Sequence, residues 1–150
     1  MRSKLVIGWR EWAALPDLGV DHIKAKIDTG AKTSAIHAYR VKKIIKDGAP
    51  WATFRLHPVQ KHKKPEILCE APIVDERRVR SSSGHEEVRY VVKTMLRLGP
   101  LARQVEMTLT NRDEMGFRML VGRQALKKFY IVDSGLSYGL GEPDDPLYHP

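Results

Sequence analysis

A chain of 150 residues with 42% hydrophobic side chains is the size of one ordinary domain and can fill a core, and its 29% of charged residues excludes a disordered polyelectrolyte. The single cysteine, Cys69, excludes an intrachain disulfide and argues against a thiolate metal cluster. No apolar run approaches the ~20 residues of a membrane span, and the apolar stretch at 5–8 is too short for a secretory signal, so we expect a soluble cytoplasmic protein with no membrane contact. Lys and Arg outnumber Asp and Glu by 26 to 18, a net charge of +8 that favours acidic partners.

In chain order the pattern is mostly β. Residues 5–7 read as a short strand, followed by GWREWAALPDLG with a Pro16-Asp17 turn signal. HIKAKID alternates apolar and basic residues, as a half-buried strand does. SAIHAYRVKKII reads as a strand with a bulge, and WATFRLHP puts Ala52, Phe54 and Leu56 on one face. VQKHKKPE is a polar loop. ILCEAPIV is apolar, but Pro72 restricts it to an edge or a bend. RRVRSSSGHEEVRYVVKTMLRLG is a long hairpin signal turning at 82–84. ARQVEMTLT is another alternating strand, NRDEMG a turn, and FRMLV a strand ending on Gly122. RQALKKF predicts a short helix with Ala125, Leu126 and Phe129 on one face, YIVD and LSYGLG read as terminal strands, and the tail at about 141–150 reads as loose. With no internal repeat and no linker, the expectation is a single domain over 1–150, mainly β, closed or sandwiched, with one short C-terminal helix.

The stretch AKIDTGAKTSAIHA raises the question of chemistry: an apolar strand delivers Asp28 to its tip and follows it with Thr29, Gly30 and Ala31. Taken alone, Asp-Thr-Gly is a turn as readily as a catalytic loop. About ninety residues later comes RMLVGRQAL, an apolar strand, Gly122, Arg123 and a helix. In this order the pair resembles the retropepsin-like aspartic proteases. The wider set, from GWREWAALPDLG through IKAKIDTGAKTSAIHA and CEAPIVDERRVRSSSGHEEVRYVV to LTNRDEMGFRMLVGRQAL, is similar over roughly residues 8–132 to a bacterial family of small retropepsin-like proteins. That family is labelled ATP-dependent zinc protease and is associated with ATP-grasp ligases that add glutamate to a ribosomal protein.

The resemblance implies a retropepsin-like closed β-barrel or sandwich, with Asp28, Thr29 and Gly30 as the catalytic loop and Ala31, Gly122 and Arg123 as its support. Aspartic proteolysis needs two carboxylates that share one proton: at ~3 Å like charges cannot both ionise, so one acts as base toward water and the other polarises the peptide carbonyl. Thr29 would hold the loop through its hydroxyl, Gly30 would let backbone N–H groups approach the carboxylate, and Gly122 would let the crossing strand pass close beneath. A bilobed protease needs two such loops. The second Asp-x-Gly, at Asp133, is followed by only 15 residues after Gly135, too few for a lobe, so Asp133 reads as a turn. The expected solution is a homodimer with one Asp28 from each subunit and terminal strands at the interface. The hairpin would be the flap, with Arg78, Arg80, Ser83, Gly84, His85 and Arg89 lining it and selecting an acidic peptide or protein substrate, polyglutamate tails included.

One departure stands out. Retroviral loops read Asp-Thr-Gly-Ala-Asp, and the last acid pairs with the arginine of the Gly-Arg segment; here that position is Lys32, so Arg123 needs another partner, with Asp113 and Glu114 as candidates. The zinc and ATP of the family label find little support: there is no H-E-x-x-H, His57, His62 and Cys69 lie in or beside a lysine-rich loop, and no Gly-rich Lys-Ser/Thr loop exists. We expect no cofactor. Cys69 in an apolar strand reads as structural rather than nucleophilic. The competing function is a non-catalytic binding module on the same scaffold, regulating a glutamate ligase or a ribosomal protein. Sequence-specific nucleic-acid binding ranks third, because no RNA-binding signature appears and aromatics are 7%.

Overall fold

A computed structural model describes residues 3–59, 65–80, 83–111 and 116–144. Ten strands form one sheet: β1 Leu5–Leu15, β2 Val20–Asp28, β3 Ser34–His37, β4 Tyr39–Lys46, β5 Ala49–Leu56, β6 Ile67–Arg80, β7 Glu86–Leu98, β8 Leu101–Thr110, β9 Met119–Gly122 and β10 Tyr130–Ser137, with a helix α1, Arg123–Leu126, between the last two. Their order is β10-β1-β2-β9-β3-β8-β7-β6-β5-β4, and a further pairing of β1 with β7, Ala14 opposite Arg97, brings the sheet round on itself. The strands from β1 through β2, β9, β3 and β8 to β7 thus make a closed barrel. Beyond it, β10 is added on one side and β6, β5 and β4 on the other.

Side-chain alternation drives the closure. Ile23, Ala25 and Ile27 of β2 are buried while Lys24 and Lys26 between them are half-exposed. Their inward row meets Ile7, Ala13 and Leu15 of β1, Ile36 of β3, Val92 and Leu96 of β7, Met107 of β8 and Met119 and Val121 of β9 in one apolar cluster. Ala52, Phe54 and Leu56 are buried along β5, as their alternation predicts.

Several elements depart from the expectation. The strand expected at 5–7 runs on through GWREWAAL to Leu15, because the β2 hairpin partner supplies a ladder from Arg10↔Lys26 to Leu15↔Val20. SAIHAYRVKKII is two strands. Arg40 at φ 52° and a register shift between Tyr39 and Lys42 send the second one to β5 rather than β8. Pro72 does not end its strand. It lies opposite Trp51 where β6 changes partner from β5 to β7, just before an irregularity between Ile73 and Asp75, so the bend alternative holds. The helix is one turn, because Lys127 is extended and Lys128 sits at φ 76°. LSYGLG is not a separate terminal strand. β10 continues unbroken to Ser137, and Tyr138 at φ 54° then turns the chain.

The motif GWREW has a structural purpose. Glu11 is wholly buried, and its side-chain oxygens accept the N–H of Gly8 at 2.7 Å, Gly139 at 2.8 Å and Leu140 at 3.0 Å, which satisfies a buried polar group and pins residues 139–140 to β1. A side chain at Gly8 would meet the Leu136 carbonyl oxygen at 2.2 Å, so β10 can cross there only over a glycine. The described part of the chain has no helix long and apolar enough to cross a membrane.

Candidate active site

Asp28 is the last residue of β2 and lies beside Gly122, the last residue of β9, in a parallel ladder that also pairs Ile27 with Val121. The buried neighbours fix the strand end, and the carboxylate beyond it is half-exposed. The chain then turns sharply. The Gly30 N–H donates to Asp28 Oδ1 at 3.0 Å, and the Ala31 N–H donates to the Asp28 carbonyl at 3.2 Å. A Cβ on Gly30 would stand 3.2 Å from the same Oδ1, so glycine keeps the amide close to the carboxylate.

Beneath the loop the Gly-Arg segment acts as a buttress. A Cβ on Gly122 would lie 2.7 and 2.8 Å from the carbonyl carbon and oxygen of Thr33, distances no real side chain tolerates against backbone, and a tight 3.0 Å from the Ala31 oxygen. The Gly122 N–H donates to Ser34 Oγ at 3.0 Å, Arg123 N–H to the Ala31 carbonyl at 2.8 Å, and Gln124 N–H to the Lys32 carbonyl at 3.1 Å. The Arg123 guanidinium donates to the carbonyls of Gly30 at 3.1 Å and Thr29 at 3.5 Å. The partner Arg123 needed is therefore the loop's own backbone. The acids considered for it, Asp113 and Glu114, lie outside the described residues. Thr29 is exposed, and among the described residues its hydroxyl has no partner; the loop is held by Arg123 and backbone bonds instead.

The hairpin of β6 and β7 pairs Arg80 with Glu86 and turns through Ser83 and Gly84, the latter at φ 86°. Its arginines are largely neutralised within the hairpin. Arg78 and Arg80, with side chains 78% and 72% exposed, both face Glu86 at 3.9 and 3.5 Å, and Arg89 holds Glu87 at 2.8 Å. Exposed pairs of this kind contribute about 0–1 kcal/mol each. His85 is exposed at the tip. The residue that reaches the Asp28 loop is Arg77, whose Nη1 lies 3.3 Å from Thr33 Oγ1 and whose Nε pairs with Asp75 at 3.3 Å. Sequence reading passed over Arg77, although strand alternation places it on the opposite face from Arg78 and Arg80. Ser34 was also missed. It sits at an inward position of β3 with Ile36, 2% exposed, and a polar residue in an inward row signals a bond waiting there.

Asp133 lies on β10 opposite Gly8 of β1, and its Oδ1 accepts the Gly135 N–H at 2.9 Å. The turn expected at Asp133 is instead a bulge within the strand, where the pairing shifts from Gly8↔Asp133 to Arg10↔Ser137. Of the residues considered for a metal, the His57 ring stacks on Tyr39 at 4.6 Å and Cys69 Sγ points into the core at the Leu18 carbonyl, 3.5 Å away; His62 lies outside the described residues. Among the described residues no group of three His, Cys, Asp or Glu side chains is placed to hold a metal ion. Burial pushes the Cys69 thiol up to about 12, the opposite of what a nucleophile requires.

With this geometry in hand, three likenesses can be placed. Residues 6–142 match the family model described as retropepsin-like aspartic endopeptidase RimB. The chain is 48% identical over 143 residues to a probable alpha-L-glutamate ligase of Shewanella pealeana and 43% identical over 140 residues to one of Desulfotalea psychrophila, matches that cover 95% and 93% of it. It spans only 31% and 30% of the length of those curated relatives. A crystal structure of a Legionella pneumophila protein of unknown function superposes with a TM-score of 0.77 at 29% identity, covering 92% of this chain and 99% of that one.

Proposed function

The chain belongs to the RimB-like family of retropepsin-like aspartic endopeptidases, and on that premise we propose that it is an aspartic-type endopeptidase working as a homodimer, one Asp-Thr-Gly loop per subunit, on acidic peptide tails. The observation that carries the reading is the Asp28 loop: a half-exposed carboxylate at a strand tip, held by the Gly30 amide and braced from below by Gly122 and Arg123. One chain supplies one such acid, and a second copy supplies the other. One carboxylate of the pair takes a proton from water while the protonated one polarises the scissile carbonyl; the proton then passes to the leaving amine as the C–N bond breaks. The hairpin closes over the substrate and excludes water.

An acidic substrate follows from the charge of +8 and from the relatives, whose names put a glutamate-adding enzyme on the same polypeptide as this sequence. That fusion also supports a second reading, a non-catalytic module that docks on an ATP-grasp glutamate ligase or its ribosomal-protein product. Sedimentation of the purified protein, together with cleavage of an oligoglutamate-tailed peptide by wild type and Asp28→Asn, separates the two. A dimer whose cleavage vanishes in the variant supports the peptidase. A monomer that binds the ligase and cuts no peptide supports the module.

A further inference from the structure

The charges that read an acidic chain were expected on the flap, yet Arg78 and Arg80 share Glu86 and Arg89 faces Glu87 within their own hairpin, where Arg77 likewise faces Asp75. The basic side chains with no carboxylate in ion-pair range lie elsewhere. Two cavities flank α1. One, of about 720 Å³, is lined by Lys4, Lys32, Arg123, Lys127 and Lys128 and opens on Thr29 of the Asp28 loop. The other, of about 650 Å³, is lined by Lys93, Arg103, Lys127 and Lys128. They share Gln124, Lys127 and Lys128, so they form one groove that runs from the loop round the helix. Among the described residues Glu106 is the one carboxylate lining it, and none of the seven basic side chains lies within ion-pair distance of a described carboxylate.

The groove is also shaped. The Arg103 guanidinium lies 3.9 Å over the Phe129 ring and donates to the Ala125 carbonyl at 2.9 Å, which holds its charge in place. Lys128 keeps a left-handed φ of 76°, costly for a residue with a side chain. Lys32, where the retroviral loop has an acid, adds to the same field instead of pairing with Arg123.

We infer that this groove is an exosite for a carboxylate-rich peptide, which it holds in extended form beside the Asp28 loop. A nucleic-acid strand is disfavoured, because such grooves present aromatic faces for base stacking. Here one face of Phe129 is taken by Arg103, and Tyr130 is buried with its hydroxyl on the Leu98 carbonyl. A peptide of repeated carboxylates needs no such platform, only spaced cations in a concave, partly desolvated track. The inference rests on the peptidase reading for what happens at Asp28, while binding in the groove can be measured without it.

The test is fluorescence anisotropy with a short fluorescein-labelled oligoglutamate, in an Asp28→Asn background so that the probe stays intact. Replacing Lys93, Lys127 and Lys128 together by Gln is expected to weaken binding roughly tenfold or more, and the remaining affinity to depend less on salt. Replacing the same three by Arg should retain it. Unchanged binding in the Gln variant, or equal loss in the Arg variant, overturns the exosite. So does single-stranded RNA that displaces the probe at lower concentration than unlabelled oligoglutamate. If the wild-type chain cuts nothing, yet binding still follows lysine charge, the groove stands and the peptidase reading falls. If cleavage of acidic peptides proceeds with an unaltered KM in the Gln variant, the peptidase stands and the groove falls.

Discussion

The chain carries two Asp-x-Gly motifs, at 28–30 and at 133–135, and they make the same local side-chain bond, the first in a turn and the second in a bulged strand. In each, the aspartate Oδ1 accepts the glycine N–H, at 3.0 Å in the first and 2.9 Å in the second. Each is crossed by a distant glycine with no room for a Cβ: Gly122 against the Thr33 backbone, and Gly8 against the Leu136 carbonyl. The difference is in the support. The first turn lies between β2 and β3, with β9 paired to both, and Arg123 binds its carbonyls from below. The second interrupts the parallel pairing of an edge strand, its aspartate exposed and its downstream residues tied by Glu11. The three-residue pattern fixes one side-chain bond; a buttress on both sides fixes where the carboxylate sits.

The sharpest way to break this contrast is at the two acids. Asp28→Asn is expected to lower peptide hydrolysis by roughly 10³-fold, since the amide cannot share or transfer the proton. Asp133→Asn should leave the rate within about twofold, as an exposed surface change does. Comparable losses in the two, measured as kcat/KM on one acidic peptide, would erase the distinction.

At the crossings the two motifs should instead behave alike. Gly8→Ala drives a methyl into the Leu136 carbonyl, and Gly122→Ala drives one into the backbone of Thr33, so each should destabilise by about 3 kcal/mol or more in denaturant unfolding, the upper end of overpacking costs. Gly8 should be the worse of the two, since its contact is shorter.

The supports come next. Glu11→Gln keeps the shape but replaces an acceptor oxygen by an amide group facing buried N–H donors, a cost of about 1–3 kcal/mol that should free residues 139–140 to hydrogen exchange. Ser34→Ala removes the acceptor of the buried Gly122 N–H and should cost about 1–2 kcal/mol, with a larger effect on activity than on folding if the loop is what it steadies. The smallest effect is expected at Gly135→Ala, where only the Asp133 Oδ1 lies near, at 3.5 Å; stability should change by less than about 0.5 kcal/mol.

Much of this could be read in the sequence. The alternation of Ile23, Ala25 and Ile27 gave a strand ending on Asp28, and the Val121-Gly122-Arg123 step gave the second half of the loop's support. What could not be read was partner choice. Residues 39–46 have β character, but nothing local says that they leave the barrel and pair with β5. Arg78, Arg80 and Arg89 looked like a substrate-reading row until their hairpin partners Glu86 and Glu87 fell opposite or beside them. Arg77, one position away, faces the loop because the pairing Arg77↔Arg89 turns it there.

By itself, then, the order of residues determined the β character, the strand that carries Asp28 and the glycine that must pass beneath it, because side-chain periodicity and the steric freedom of glycine are local properties. The tertiary structure alone decided which cations stay unneutralised, since an ion pair depends on distances across strands rather than along the chain. It alone closed the barrel through Ala14 and Arg97, buried Glu11 against three amides and gathered Lys4, Lys32, Lys93 and Lys128, far apart in sequence, into one groove beside the loop.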